Sequence, residues 1–568
     1  MTQGKRKTSG LLVTLAMAAS VALPIGAWAD AGSYLATRQA MFDRDFRTMT
    51  DYAARYLVSD MENAALLESA ISGYISQGDI KGAVAYATIL QKISAGNQLA
   101  GMAILATRAD EGDFAGLIAA LDDGVGISAP VDLMLRAWGL VGAGDVSAAL
   151  DVFDEAGSAG QGFEFLGPYN KSLALALVGD YESAAEVLEA AAGNDTARGL
   201  LARVQMLSQL ERFDEAETLL QETFGDASDP VLDDMRAALA ARQPIPFDIV
   251  TSAKEGMADV FNSVALALDG GLDDAYVLLY ARLAQALRPE MDDYALTVAQ
   301  LLERLDNYEL ASEVYETIPQ SSPSFVRAEL GRAEALRALG NEDAEAEVLK
   351  QLVKTRPEEA GAHIALGDGM RRRERYEEAI EAYTNALALL PDDAARLWPI
   401  YFTRGIAYER SDRWPEAEAD LRKALDLNPG QPQVLNYLGY SFLEMRTNLD
   451  EAMEMIREAV EARPQDGYIT DSLAWGLYRL RRFDEAVEPM ERAVELMPVD
   501  PIVNDHLGDV YWAVGREREA IFQWRRAQSF DPEPEDAERI RRKLDIGLDR
   551  VLIEEGEEPT RPVTSSRP

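Results

Sequence analysis

Two histidines, His363 and His506, are the whole imidazole complement of this 568-residue chain. His506 stands in Asn504-Asp505-His506-Leu507-Gly508-Asp509, and an imidazole beside carboxylates can serve as a base or hold a metal. No second histidine lies near it in sequence, and its place suits a packing position on a helix. With 97 acidic residues, a pair of neighbouring carboxylates carries no information. There is no cysteine, which removes a thiolate nucleophile, a disulfide framework and any cysteine-based metal site. Glycines such as Gly331 and Gly340 form no phosphate-cradling loop, and Arg371-Arg372-Arg373 is short enough to read as a solvated face. No enzyme activity, no cofactor and no metal are therefore expected. The chemistry these residue types suit is recognition: tyrosine, tryptophan and arginine gather between 402 and 512, and such side chains anchor protein interfaces.

The elements that position them are set by a period. Pro289, Pro323, Pro357, Pro391, Pro429, Pro464, Pro498 and Pro532 follow one another at steps of 34 to 38 residues, the spacing of a helix–turn–helix solenoid. Proline lacks an N–H and disfavours helix in the residue before it, so each closes the second helix of a pair. Gly78-Asp79-Ile80, Gly112-Asp113-Phe114, Gly144-Asp145-Val146 and Gly179-Asp180-Tyr181 recur at steps of 32 to 35 in the first half. Glycine suits a left-handed residue closing one helix, and aspartate suits the cap opening the next. Glu211-Arg212-Phe213 continues the series without its glycine. The spacing gives about five or six units before residue 225 and eight after 256.

The residues around the prolines resemble the tetratricopeptide repeat. Leu366-Gly367, Leu438-Gly439 and Leu507-Gly508 supply its Leu-Gly step, with Tyr511 in the aromatic place. Ala379, Ala417, Ala452, Ala486 and Ala520 supply the small residue of the second helix, followed by Tyr383, Leu421, Ile456, Met490 and Trp524. Ala386, Ala424, Ala459, Ala493 and Ala527 come three further on. The fold expected is an all-α solenoid, a right-handed superhelix of such hairpins in two segments with an irregular joint. Its expected parts are a leader over 1–29, degenerate repeats over 30–225, the joint over 226–255, repeats over 256–532, a capping helix over 533–552 and a disordered tail over 553–568. The joint could equally be one heavily diverged repeat.

The family uses fixed positions of each first helix to line a groove. By that resemblance the groove holds Phe402, Tyr440, Tyr468, Trp475, Tyr478 and Trp512. Asn436, Asp471, Asp505 and Asp509 join them, with Arg410 and Arg479, and Arg371 and Arg372 one repeat earlier. Helical spacing independently puts such positions on one face. The other reading of the aromatic set is packing between repeats. The lysines of the family's carboxylate-binding members are missing at the matching positions. Arg404 stands where the family has leucine, so it needs a carboxylate, for which Asp420 is the candidate.

A formal charge of −42 favours solubility and opposes binding to nucleic acid or anionic membranes. Lys5, Arg6 and Lys7 precede an apolar run, Leu11 to Leu23, and Ala27-Trp28-Ala29 has the form of a cleavage site. An exported protein, periplasmic or secreted, is expected, cleaved after Ala29; an uncleaved anchor is the other reading. Without cysteine there is no lipid anchor. The motifs of residues 400–530 look like exported bacterial repeat proteins, which implies an adaptor for a periplasmic processing protease or cell-envelope enzymes. An accessory subunit of an envelope polysaccharide or secretion complex is the alternative, and an unrecognised enzyme the third reading. In the first two the partner is a protein or peptide.

Overall fold

The computed structural model describes residues 25–157, 165–191, 196–225, 230–391 and 395–562. Among them the regular structure is helical, as 31 α-helices and one short 3₁₀ turn. No helix there is long and apolar enough to cross a membrane. The leader falls largely outside the described residues; the first helix, Ile25–Phe42, runs through position 29. Contacts divide the chain into two compact units, Met1–Ala344 and Glu345–Pro568, so the 226–255 segment lies inside the first unit.

The hairpins of the first unit are punctuated as the sequence indicates. Gly78, Gly112, Gly144 and Gly179 take φ of 85°, 70°, 89° and 86°. The following aspartates accept from backbone N–H groups three residues on, at 2.8 Å for Asp79, 2.9 Å for Asp113 and 3.2 Å for Asp145 and Asp180. The device changes further along. Glu211, Glu374, Asp412 and Arg481 hold the left-handed turn with φ of 57° to 59°, at a cost of about 1–2 kcal/mol each. The residue opening the next helix is then arginine, whose guanidinium bonds the glutamate three places on: Arg212–Glu215, Arg375–Glu378, Arg413–Glu416 and Arg482–Glu485.

In the first unit one hairpin packs back on much earlier repeats as well as on the helix that follows it, Asp292–Arg304. Helix Ala253–Leu268 packs across Gln98–Glu111, Ala129–Ala143 and Leu166–Leu177, and helix Asp274–Leu287 lies on Ala64–Ser76 and Gln98–Glu111. These are the first helices of successive hairpins, so the wall a guest would use is covered by the chain itself. Buried Phe261, Val260, Leu278 and Leu283 supply the apolar contact, worth about 1.5–3 kcal/mol per side chain. Gly256 lies against the ring of Trp138, where any Cβ would collide. Polar contacts also cross it: Arg198 Nε to Asp259 at 2.5 Å, Arg282 Nε to the Ser76 carbonyl at 2.8 Å, and Gln98 to the Tyr276 hydroxyl at 2.5 Å. The irregular 244–252 segment delivers this hairpin. Ile245 N–H donates to Ser208, and Arg198 and Arg288 both donate to the Ile249 carbonyl.

The second unit runs as regular hairpins: Ala360–Arg372 with Tyr376–Ala388, Trp398–Arg410 with Trp414–Leu427, Pro432–Glu444 with Leu449–Ala462, Gly467–Arg479 with Phe483–Leu496, and Pro501–Ala513 with Glu517–Ser529. Asn428, Arg463 and Met497, each just before a proline, are extended at φ −139°, −134° and −129°, which ends the helix. A Cβ on Gly439 would meet Ile456 Cγ1 at 2.8 Å and the Ala452 carbonyl at 2.9 Å, so glycine is what lets the two helices of that pair close. Arg404 does reach Asp420, through two bonds of 2.6 and 2.8 Å. The expected single capping helix is two, Pro534–Ile546 and Leu548–Glu554, because Gly547 (φ 83°) turns the chain. The tail expected to be disordered is placed as far as residue 562. Asp549 holds it, accepting from Thr560 N, Thr560 Oγ1 and Arg561 N at 2.6, 2.7 and 3.2 Å.

Candidate protein-binding groove

Three first helices of the second unit build a groove. Pro432–Glu444 buries Leu435, Leu438 and Phe442, and the opposite stripe, Asn436, Tyr440 and Glu444, is spaced by four. Gly467–Arg479 is capped by Asp466, which accepts from Tyr468 N and Ile469 N at 3.1 and 3.2 Å, and presents Tyr468, Asp471 and Trp475. Pro501–Ala513 is capped by Asp500 and presents Ile502 and His506. With Tyr437, also on Pro432–Glu444, and Glu409, Arg410, Asp412 and Trp414 from the preceding hairpin they enclose about 680 Å³.

The floor is aromatic and tightly ordered. The Trp475 indole stacks between His506, with ring centroids 3.9 Å apart, and Tyr478 at 4.7 Å. Its Nε1 donates to Glu444 at 3.2 Å. His506 Nδ1 lies 3.0 Å from Asp471. Burial, the largest single influence, lowers the pKa of this imidazole, but the carboxylates of Asp471, Asp505 and Asp509 together outweigh it, so the net shift is upward. Burial, then Glu444, raises the Tyr440 phenol. Tyr437 donates to Glu409 at 3.0 Å, and Tyr468, which is 62% exposed, donates to Asp500 at 3.3 Å. The Asn436 Oδ1 is buried with no donor.

Of the residues the sequence singled out, Arg410, Asn436, Tyr440, Tyr468 and Asp471 are brought together here. Trp475 is packed beneath them at 9% exposure, and Phe402 lies edge-on to Tyr437 at 5.8 Å. Arg371 and Arg372 lie apart: Arg372 pairs with Glu345, and Arg371 sits beside Tyr383. The remaining five are covered by the C-terminal helices. Lys543 Nζ, fully buried, lies 2.6 Å from Asp505 and 2.7 Å from Asp509. Asp509 also accepts from Trp524 at 2.9 Å. Trp512 donates to Asp549 at 2.8 Å, with Arg561 over its ring. Arg479 lies 3.5 Å from Glu557, and Tyr478 is buried among them. The chain after Pro532 folds back onto the inner wall of the last two repeats, and an end repeat with no successor has an apolar face to cover.

Sequence reasoning missed Glu409, Tyr437, Glu444 and His506 as groove residues. Glu444 was readable, since it lies four places after Tyr440 on the same stripe. His506 was readable as the neighbour of Asp471, because 35 residues separate the pair, one repeat period.

Family models described as tetratricopeptide repeat match residues 296–360, 402–467 and 360–393. A TPR repeat-containing protein of Pseudomonas aeruginosa is 30% identical over 159 residues, 27% of this chain and 26% of that protein. Mitochondrial import receptor subunit TOM70 of Rattus norvegicus is 39% identical over 62 residues, 11% of this chain and 10% of that one. The chain thus spans about a quarter or less of the length of these relatives. The yeast Tom70 crystal structure aligns over 93% of this chain and 96% of its own, at 14% identity and a TM-score of 0.35.

Proposed function

We propose, for a chain whose residues 296–467 carry tetratricopeptide repeats, that it is an exported scaffold holding a segment of a partner protein in the groove between Trp398–Arg410 and Pro501–Ala513. Helical repeats of this kind are suited to protein–protein contact, and a stacked array leaves one wall of first helices for it. The observation that carries the reading is the contrast between two such walls. In the first unit the wall is filled by the 253–287 hairpin; in the second, Tyr440, Tyr468 and Asn436 remain around an open groove. The finer reading keeps the exported adaptor: a protein delivered across the inner membrane that brings envelope hydrolases to a processing protease. The basic start, apolar run and Ala27-Trp28-Ala29 support export.

Photo-crosslinking tests it. A benzophenone amino acid replaces Tyr440, Tyr468 or, as a control on an outer helix, the 60% exposed Phe522. In envelope extract the first two are expected to trap a common protein and the third none of it. Equal trapping at Phe522 refutes the groove. Trapped integral membrane proteins, instead of a soluble protease and hydrolases, refute the adaptor and favour a membrane-complex subunit. Export is checked by fractionation and by the mature N-terminus, expected at Asp30.

A further inference from the structure

The same groove has a charge that selects its guest. Of the described residues lining it, four are carboxylates, Glu409, Asp412, Glu444 and Asp471, against the single guanidinium of Arg410 and the imidazole of His506. His506 is engaged with Asp471, and Arg410 lies 3.6 Å from Glu409. Glu444 receives the neutral indole N–H of Trp475 and lies beside the Tyr440 phenol. Aromatic side chains of Tyr437, Tyr440, Tyr468 and Trp414 stand among these carboxylates. Carboxylates set beside aromatic rings match a guanidinium or ammonium, which takes charge-assisted bonds at its edge and stacks by its face. The apolar rim, Tyr468 and the 50% exposed Ile502, suits the methylene stems of such side chains.

Resting on the groove reading above, we infer that the occupant is an extended, arginine- or lysine-bearing peptide segment, its cationic side chains seated between Glu409 and Glu444. Negative charge throughout the chain, −42 in all, steers such a segment toward the groove.

The test uses the full chain and three fluorescent pools of capped nonapeptides. Alternate positions are fixed as arginine, as its uncharged isostere citrulline, or as glutamate, and the rest are mixed over small and aromatic residues. Binding is read by anisotropy at low and high salt. The arginine pool is expected to bind at least about tenfold tighter than the citrulline pool, weakening with salt. Glu409→Gln with Glu444→Gln should lose about tenfold for arginine and little for citrulline. Glu454→Gln with Glu461→Gln, exposed carboxylates on a second helix, should leave binding unchanged. Circular dichroism checks that each variant is folded. Equal affinity for arginine and citrulline pools, or preference for glutamate, overturns the inference; if Tyr440→Ala with Tyr468→Ala still abolishes that binding, the groove reading stands. Binding of no pool, or binding indifferent to the tyrosines, overturns both.

Discussion

Replacing Lys543 by methionine keeps the stem's volume and deletes one charge. The Lys543 side chain is 0% exposed, and its partners Asp509 and Asp505 are 1% and 13% exposed. Removing one member of a buried ion cluster costs about 3–5 kcal/mol, because the opposite charge is left without compensation. Arg539 remains at 3.7 Å from Asp509 and 3.9 Å from Asp505, which argues for the lower figure, about 3 kcal/mol. A repeat array frays from its ends, so the loss should be local. Native-state hydrogen exchange is the assay. Amides of Pro501–Ala513 and Pro534–Ile546 should exchange roughly 100-fold faster in Lys543→Met, while those of Ala360–Arg372 should not change. Adding Asp505→Asn and Asp509→Asn removes the stranded charge, and the new side-chain amide oxygen at position 509 can still accept from the Trp524 indole. That triple variant should recover most of the protection. Unchanged exchange in Lys543→Met, or a triple variant no better than the single one, refutes the account.

His506 gives a pH dependence with a definite sign. Its pKa in the fold lies above the ordinary value of about 6.5 because burial, which lowers it, is outweighed by the surrounding carboxylates, Asp471 foremost. Asp505 and Asp509 also face it. The stabilisation is fully present below about 6.5 and is lost as pH rises through the folded value. Urea midpoints of the native protein should therefore fall over that range relative to His506→Gln. An NMR titration, with His363 as the other imidazole, should place His506 on the high side; a value below about 6.5 contradicts the pairing. Gly439→Ala should cost about 1–3 kcal/mol by overpacking against Ile456 and Ala452, measured by denaturant unfolding with the m-value checked for constancy.

What the sequence made legible was local. Proline and Gly-Asp punctuation located helix ends because those signals act through the dihedral angles of one or two residues, and Arg404 announced Asp420 because a buried guanidinium needs a carboxylate. What it hid was long-range. Nothing about Phe261 or Gly256 says that they meet helices far earlier in the chain, since an inserted hairpin and a stacked one have the same apolar periodicity. The same holds for Lys543. A lone lysine on an amphipathic helix reads as solvated, and only the fold-back of Pro534–Ile546 after Pro532 turns it inward over Asp505 and Asp509. Half-buried aromatics were ambiguous for a related reason: Tyr440 lines the groove, while Trp475, on an equivalent stripe, supports its floor.

The filled wall of the first unit changes what selection can act on there. A surface that greets visitors can drift in residue type as its visitor drifts. A surface sandwiched between two layers of its own chain must satisfy both at once, with Asp259 and Arg198 obliged to change together and Gly256 unable to grow. Saturation mutagenesis across 64–177 and 253–287 should therefore register as altered abundance of folded protein, whereas the exposed stripe of 436–444 should register as altered company.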